Sequence, residues 1–564
     1  MNLNLKSKQN NTYDAIVVGT GISGGWSAKE LTEKGLKTLV LDRGRMVKHG
    51  DYPTANKDPW ELPYGDLLTS EELKQFPKQN RSGYTLRQST KHWWVNDLEN
   101  PYTETKRFDW IRGYHVGGRS ITWGRHSYRW SAMDFEANEK EGIAVPWPIG
   151  YSDIEPWYDY AEKYAGIQGM KEGLSQCPDG QFLKPFGLNC VETDAREKVM
   201  SKFPGRVITG GRTAHATTLH NGRKCQVRDL CIRGCPYGGY FSSVSTTLIS
   251  AENTGNMTIR PNSIVTEVIY DEEKEKVTGV RVLDSETMET EEYYANVIFL
   301  NASAIASAFI LMNSKSDRFP DGLGNDSGEL GHNIMDHQFR TGARGDVDGY
   351  EDKYYSGRRP SGIYIPRFAN VGKDKRDYLR GFGYQGGASR TGWWRVIREL
   401  TIGPEIKEMM SEPGGWSMGL GGFGECLPYH ENKMEVNSDK QDKYGQPIVN
   451  FDVEFKENEA KMRPDMMNDA AEMLEAAGFK NVNTYDAESY PGLGIHEMGS
   501  ARMGKDPKTS VLNKWNQVHA AKNVFVTDGA CMTSSACQNP SLTYMALAAR
   551  AANYAVDELK KQNL

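Results

Sequence analysis

Three cysteines, Cys225, Cys231 and Cys235, are spaced Cys-x5-Cys-x3-Cys and run into Pro236, Tyr237 and Gly238. Thiolates this close, with Gly234 and Pro236 to turn the backbone, can converge on one metal centre. Two-iron and four-iron clusters take four thiolates and only three are local, so the spacing points to a three-iron cluster (3Fe-4S). Two other readings use the same residues. One is a Cys3His zinc site completed by His220, and the other is three buried free thiols. Cys177, Cys190, Cys426, Cys531 and Cys537 lack metal spacing and read as ordinary reduced cysteines.

A second constellation stands near the start. The apolar run Ala15-Ile16-Val17-Val18 has the character of a buried parallel strand and leads into Gly19-Thr20-Gly21-Ile22-Ser23-Gly24. A helix is expected from about Ser23 to Lys34, then a strand Thr38-Leu41 ending at Asp42. In such a unit Gly19 makes the tight turn, Gly21 lets backbone approach a pyrophosphate and Gly24 lets helix pack on strand. The helix N-terminus faces the phosphates, and Asp42 stands where a carboxylate accepts from ribose hydroxyls. The unit binds a dinucleotide without distinguishing FAD from NAD.

The elements that carry these residues belong to a folded chain of 564 residues, long enough for two lobes around a cleft. A formal net charge of -6, with no Lys/Arg cluster interleaved with aromatics, argues against nucleic acid as a partner. No apolar run reaches membrane-spanning length. The polar stretch Met1 to Asn11 leaves no room for a signal core, so no export signal is expected on the chain itself. Met467, Ala470, Ala471 and Leu474 predict a core-facing helix over Asp465 to Gly478. Trp93-Trp94 and Trp393-Trp394 offer aromatic faces for a sugar ring. His332 and His337 are five apart, an offset that does not align two metal ligands on one helix face.

Two further segments carry a family resemblance. One is Gly113-Tyr114-His115-Val116-Gly117-Gly118-Arg119-Ser120-Ile121-Thr122-Trp123-Gly124; the other joins His496-Glu497-Met498-Gly499-Ser500, Val524 to Ala530 and Asn539-Pro540-Ser541-Leu542-Thr543. With the N-terminal glycine run they resemble the glucose-methanol-choline (GMC) oxidoreductases along nearly the whole chain. The resemblance implies an α/β fold of two lobes, a Rossmann-like FAD-binding domain and an interleaved α+β substrate domain. Residues 12-60, 108-130, 225-330 and 485-564 would form the first, and 61-107, 131-224 and 331-484 the second. Ile264 to Val268, with Val265, resembles the adenine-side strand, and Asp442 to Pro447 resembles a turn of the substrate-domain sheet.

By the same resemblance His496 is the active-site histidine and Asn539 its partner, a position held by histidine or asparagine in the family. Asp528 and Gly529 would meet the flavin diphosphate, and Gly117, Gly118 and Ser120 would pass the isoalloxazine. Thr122 stands near the position where pyranose oxidases carry the histidine that tethers FAD, so FAD is expected to be bound non-covalently. His337 resembles a structural histidine of the family. Asn301-Ala302-Ser303-Ala304 departs from the Ala-Gly-Ala of many members.

The cysteine run is similar to the three-iron segment of bacterial FAD-dependent glucose dehydrogenase catalytic subunits. Relatives of that group oxidise glucose, gluconate, fructose or the 3-hydroxyl of glycosides. They work with a small subunit bearing a twin-arginine signal and a cytochrome c-type acceptor. The resemblance therefore implies a sugar or glycoside dehydrogenase, periplasmic by co-export with that partner, with the cytoplasm as the alternative. A pyranose-oxidase-like oxidase and a redox-silent GMC lyase are the competing activities.

Overall fold

The computed structural model describes residues 11–83, 85–353, 360, 362–391, 403–411 and 414–564, so Trp393 and Trp394 lie outside the described residues. Strand Thr12–Val18 pairs in parallel with Thr38–Leu41 on one side and Thr290–Leu300 on the other. Met257–Arg260 extends the sheet beyond Thr38–Leu41, and Ala521–Val526 extends it beyond Thr290–Leu300. Residues 15–18, 38–41 and 297–300 are buried without interruption, the pattern of strands covered on both faces. Ser263–Asp271 and Lys276–Asp284 form an antiparallel pair at the edge of this eight-stranded sheet.

Helix Ile22–Glu33 follows the first strand, one residue ahead of its expected start, and packs against the closing helix Ser541–Lys560. The parallel strands end at Val18, Leu41, Leu300 and Val526, all at one edge. An open parallel sheet binds its ligand in the crevice outside these carboxyl ends.

A second sheet of six strands, wholly antiparallel, runs in the order Lys480–Asp486, Gln338–Val347, Trp416–Gly424, Phe382–Arg390, Ile363–Ile365 and Thr209–Gly210. Across it, Gln385 stands opposite Gly421, which stands opposite Gly342. Cβ atoms on Gly342 and Gly421 would stand 3.1 and 3.3 Å from the Tyr485 hydroxyl, so the row is glycine where that side chain crosses it. Strands Lys433–Gln441 and Pro447–Asp452, joined by the expected turn at Asp442 to Gln446, form a small third sheet with Thr103–Glu104.

One helix differs from expectation. It runs Glu457–Ala476, beginning eight residues before Asp465 and passing through Pro464. Its buried stripe is Met462, Met466, Ala470, Met473 and Leu474, so Met467 and Ala471 flank the core instead of lining it. Among the described residues no helix is long and apolar enough to cross a membrane.

Candidate active site

A cavity of about 570 Å³ lies at the carboxyl edge of the parallel sheet, reached by Gly19, Thr20, Gly21, Asp42, Asn301 and Asp528. Close packing dictates the first glycines. A Cβ on Gly19 (φ +96°) would stand 2.3 Å from the Asn301 carbonyl oxygen, and one on Gly24 would stand 1.9 Å from that of Gly19. Gly21 differs: a Cβ there would meet nothing within 4 Å and would protrude into the cavity. The helix beginning at Ile22 has no capping side chain and no acid in its first turn, so its leading N–H groups remain free for an anion.

Asp42 braces the turn as well as facing the cavity. Its Oδ2 accepts from the Thr20 amide (3.2 Å) and the Thr20 hydroxyl, and its Oδ1 from the Gly44 amide (2.8 Å). Burial pushes the carboxyl up to about 6, and Oδ1 keeps a lone pair for a ribose hydroxyl. Thr20 also accepts from the Gly117 amide at 2.8 Å, tying the 117–121 loop to the first turn.

Asp528 accepts from the amides of Ser303 and Ala530 (3.0 Å each) and from the Ser307 hydroxyl (2.6 Å). Beside Gly529 the buried Tyr544 hydroxyl has no hydrogen-bond partner among the described residues. A free helix N-terminus, a ribose-facing carboxylate and an orphaned hydroxyl along one cavity suit a flavin dinucleotide.

In the same cavity His496 and Asn539 come together, with Asn539 Nδ2 3.3 Å from His496 Nε2. The backbone before His496 is strained, since Ile495 holds φ +60°, a rare conformation for a β-branched residue. The buried carboxyl of Asp336 clamps it from both sides, accepting from the amides of Gly494 (2.9 Å) and His496 (3.0 Å). Next in the chain, Glu497 forms a bidentate pair with Arg119 (2.8 and 3.1 Å), stapling the 117–121 loop to the histidine loop.

Gln385 donates to Asn539 Oδ1 at 2.7 Å and so turns the Asn539 NH2 group toward His496. Burial first, then the nearby His337, Arg119 and His126, holds His496 well below the ordinary histidine range. His496 is therefore neutral at working pH. Around this pair the cavity is lined by Phe339, Phe423, His126 and Arg125.

The three cysteines meet as well. Cys225, Cys231 and Cys235 line one small cavity of about 20 Å³ with His215 and Tyr240. The Val227 amide donates to Cys225 Sγ (3.4 Å) and the Gly239 amide to Cys235 Sγ (3.3 Å), the kind of bond that tunes cluster sulfurs. Val227 and Asp229 both hold φ +54°, so the loop is wound against backbone preference. Burial pushes the Cys225 thiol up to about 11 and raises Cys231.

The zinc alternative built on His220 fails on the placement of that residue. Among the described residues no three His, Cys, Asp or Glu side chains close on a single ion, which holds for an iron cluster on these thiols as much as for zinc. His220 faces away, bonded to the Tyr164 carbonyl at 3.1 Å, and the histidine near the thiols is His215, 3.7 Å from Cys231 Sγ. All eight cysteines are free thiols. Cys231 lines the small cavity, and its neighbour Ile232 lines the large one.

Of the residues expected from sequence, Gly19, Gly21, Asp42, Gly118, Ser120, Val265, His496, Asp528, Gly529 and Asn539 all line the large cavity. Gly24 and Gly117 stand behind it as packing and hinge positions. Thr122 lines it, Trp94 lines it, and Trp93 is buried against Tyr52, His92 and His115. Sequence reasoning missed Gln385, Asp336 as the clamp, the Arg119–Glu497 pair and Tyr544. None has a local signal, because each partner is distant in the chain.

Ser303 carries a test of the backbone here. It holds φ +93° and ψ +159° at the start of helix Ala304–Asn313, a conformation glycine adopts freely and serine does not. Ser303→Gly is expected to raise stability by about 1 kcal/mol, strain relief outweighing the added freedom of the unfolded chain. Urea unfolding of the two proteins at equal FAD saturation checks it, and a loss of stability would count against the strain.

A family model described as GMC oxidoreductase matches residues 13–339, and a second of the same description matches residues 428–548. The chain is 26% identical over 562 residues to the 2-methyl-1,2-propanediol dehydrogenase of Mycolicibacterium austroafricanum, spanning 96% of this chain and 94% of that one. It is 25% identical over 574 residues to the fructose dehydrogenase large subunit of Gluconobacter japonicus, spanning 98% of this chain and 100% of the relative. In three dimensions it resembles the formate oxidase of Aspergillus oryzae RIB40, solved in work on that enzyme's FAD modification, with a TM-score of 0.61. Identity there is 16%, with 98% of this chain and 99% of the other covered.

Proposed function

This chain belongs to the GMC oxidoreductase family, and from that premise we propose that it is a dehydrogenase of a sugar or glycoside hydroxyl with a one-electron exit at its cysteine site. The family binds FAD and acts on alcohol and sugar donors. FAD bound along the cavity would supply a two-electron acceptor for the substrate C–H.

The protein's own part is to place the hydroxyl and take its proton. A substrate hydroxyl that takes the place of the Asn539–His496 hydrogen bond, 3.3 Å long, can give its proton to the freed Nε2 while accepting from the Asn539 amide. Asn539 cannot compete for that proton, because its Oδ1 faces Gln385. Phe339 and Phe423, stacked at 5.3 Å, offer apolar faces to a sugar ring, and Gln385, His126 and Arg125 offer polar groups to its hydroxyls.

The observation behind the one-electron exit is that consecutive residues line the two cavities, Cys231 the small one and Ile232 the large one. Cys225, Cys231 and Cys235 would hold a three-iron cluster, which when bound passes single electrons. The fructose dehydrogenase relative is named a large subunit, which supports a small partner subunit for this chain. A cytochrome c-type acceptor and a periplasmic location by co-export belong to the same reading.

Protein purified without air is expected to contain iron and FAD, and its flavin to bleach on adding a sugar or glycoside from a screened panel. Turnover should use a one-electron dye in preference to oxygen. Oxygen consumption by iron-free protein would make it an oxidase of the pyranose type instead. Bleaching by small diols and by no sugar would move the substrate class, and no bleaching by any alcohol would leave the redox-silent lyase.

A further inference from the structure

His337 lies behind His496, its Nδ1 2.8 Å from His496 Nδ1, while its Nε2 meets the Ala536 carbonyl. A carbonyl oxygen only accepts, so His337 Nε2 carries a proton. Full burial of the ring, which pushes His337 down to about 4, keeps it neutral, so its Nδ1 is bare. The bond between the two Nδ1 atoms needs one proton, and only His496 can supply it. His496, itself neutral, then has a bare Nε2.

The opposite side of the ring reaches the same answer independently. Gln385 forces the Asn539 NH2 group toward His496 Nε2, and a donor there requires an acceptor. Had His496 carried its proton on Nε2, two donors would face each other at 3.3 Å and the Nδ1 pair would have no proton.

We propose that His337 is a positioning residue that fixes the His496 tautomer, holding the proton on Nδ1 so that Nε2 is always the bare nitrogen facing the cavity. Asp336, next in the chain, clamps the His496 backbone, so the Asp336–His337 pair sets both the place and the protonation pattern of one side chain. A free imidazole spreads its proton over both nitrogens, and a fraction of the enzyme would then present N–H to the substrate hydroxyl. The catalytic consequence rests on His496 being the proton acceptor. The tautomer does not.

The test uses FAD-loaded protein labelled with 15N-histidine, the His496 ring signals being assigned by their loss in His496→Gln. Wild type should show Nδ1 protonated and Nε2 bare. His337→Phe keeps the ring shape and removes the acceptor, so a second tautomer should appear and anaerobic flavin reduction should slow at least about 10-fold with KM little changed. His337→Gln supplies an acceptor to His496 and a donor to Ala536, and it should restore both the signal pattern and most of the rate. A wild-type Nε2–H signal would overturn the proposal. So would an unchanged tautomer in a folded His337→Phe protein, or a folded His337→Gln protein that matches it in signal and rate. If His496→Ala reduces its flavin at the wild-type rate while the wild-type tautomer is as stated, the proton-acceptor reading fails and the tautomer lock stands.

Discussion

His496→Ala is expected to keep FAD bound and to slow flavin bleaching by substrate about 100- to 10,000-fold, the scale of a lost general base. The residues expected to hold FAD, Gly19, Gly21, Asp42 and Asp528, are untouched by the substitution, so cofactor content should not fall with the rate. The pH dependence has a definite sign. Burial first, then the positive potential of its neighbours, lowers the His496 pKa, and the reactive form is the neutral one. In wild type the bleaching rate should therefore stay flat as pH falls from about 8 through 6.5, and drop only below the ordinary histidine range. Anaerobic stopped-flow absorbance measures both quantities. Wild-type speed in the alanine protein, or a rate that already halves near pH 6.5, would remove His496 from the base role.

Cys231→Ser should divide the reaction in two. With one of three thiolates gone and no fourth in the run, iron should be lost from the purified protein together with any cluster EPR signal. Bleaching of the flavin by substrate depends on His496 and Asn539, so it should remain within about 3-fold of wild type, whereas turnover with a cytochrome-type acceptor should fall by at least about 10-fold. Small dyes that reach the flavin should be spared. Metal analysis and the acceptor assay together decide it: wild-type protein free of iron, or a serine protein with full cytochrome turnover, would end the one-electron exit.

The parts legible in the sequence were those whose chemistry is local. The glycine run, Asp42 and the two flanking strands follow from period and turn residues, and the structure places helix Ile22–Glu33 and strand Thr38–Leu41 within a residue of expectation. The cysteine spacing likewise brought three thiols to one cavity. What the sequence hid depends on pairs far apart in the chain. Gln385 is an unremarked residue in a glycine-rich strand until the sheet places it 2.7 Å from Asn539. Arg119 and Glu497 are two ordinary charges until folding buries them as a pair. Local cues also misled. Taking Met467 and not Met466 rotated the expected face of helix Glu457–Ala476, because a stripe read from sequence cannot say which of two adjacent methionines faces the sheet.

The pairing of Thr12–Val18 with Thr290–Leu300 also governs how the protein is made. The central strand of the parallel sheet leaves the ribosome long before one of its two neighbours exists, and at 5–20 residues per second that delay is roughly 15–60 s. During it, the apolar edge Ala15 to Val18 can pair only with Thr38–Leu41, and His496 and Asn539 arrive later still. Such long-range closure folds slowly and leaves an exposed strand open to wrong partners. Soluble yield should therefore respond to chaperone supply and to slower, cooler expression, and a chain stopped before Leu300 should aggregate instead of forming a smaller nucleotide-binding unit.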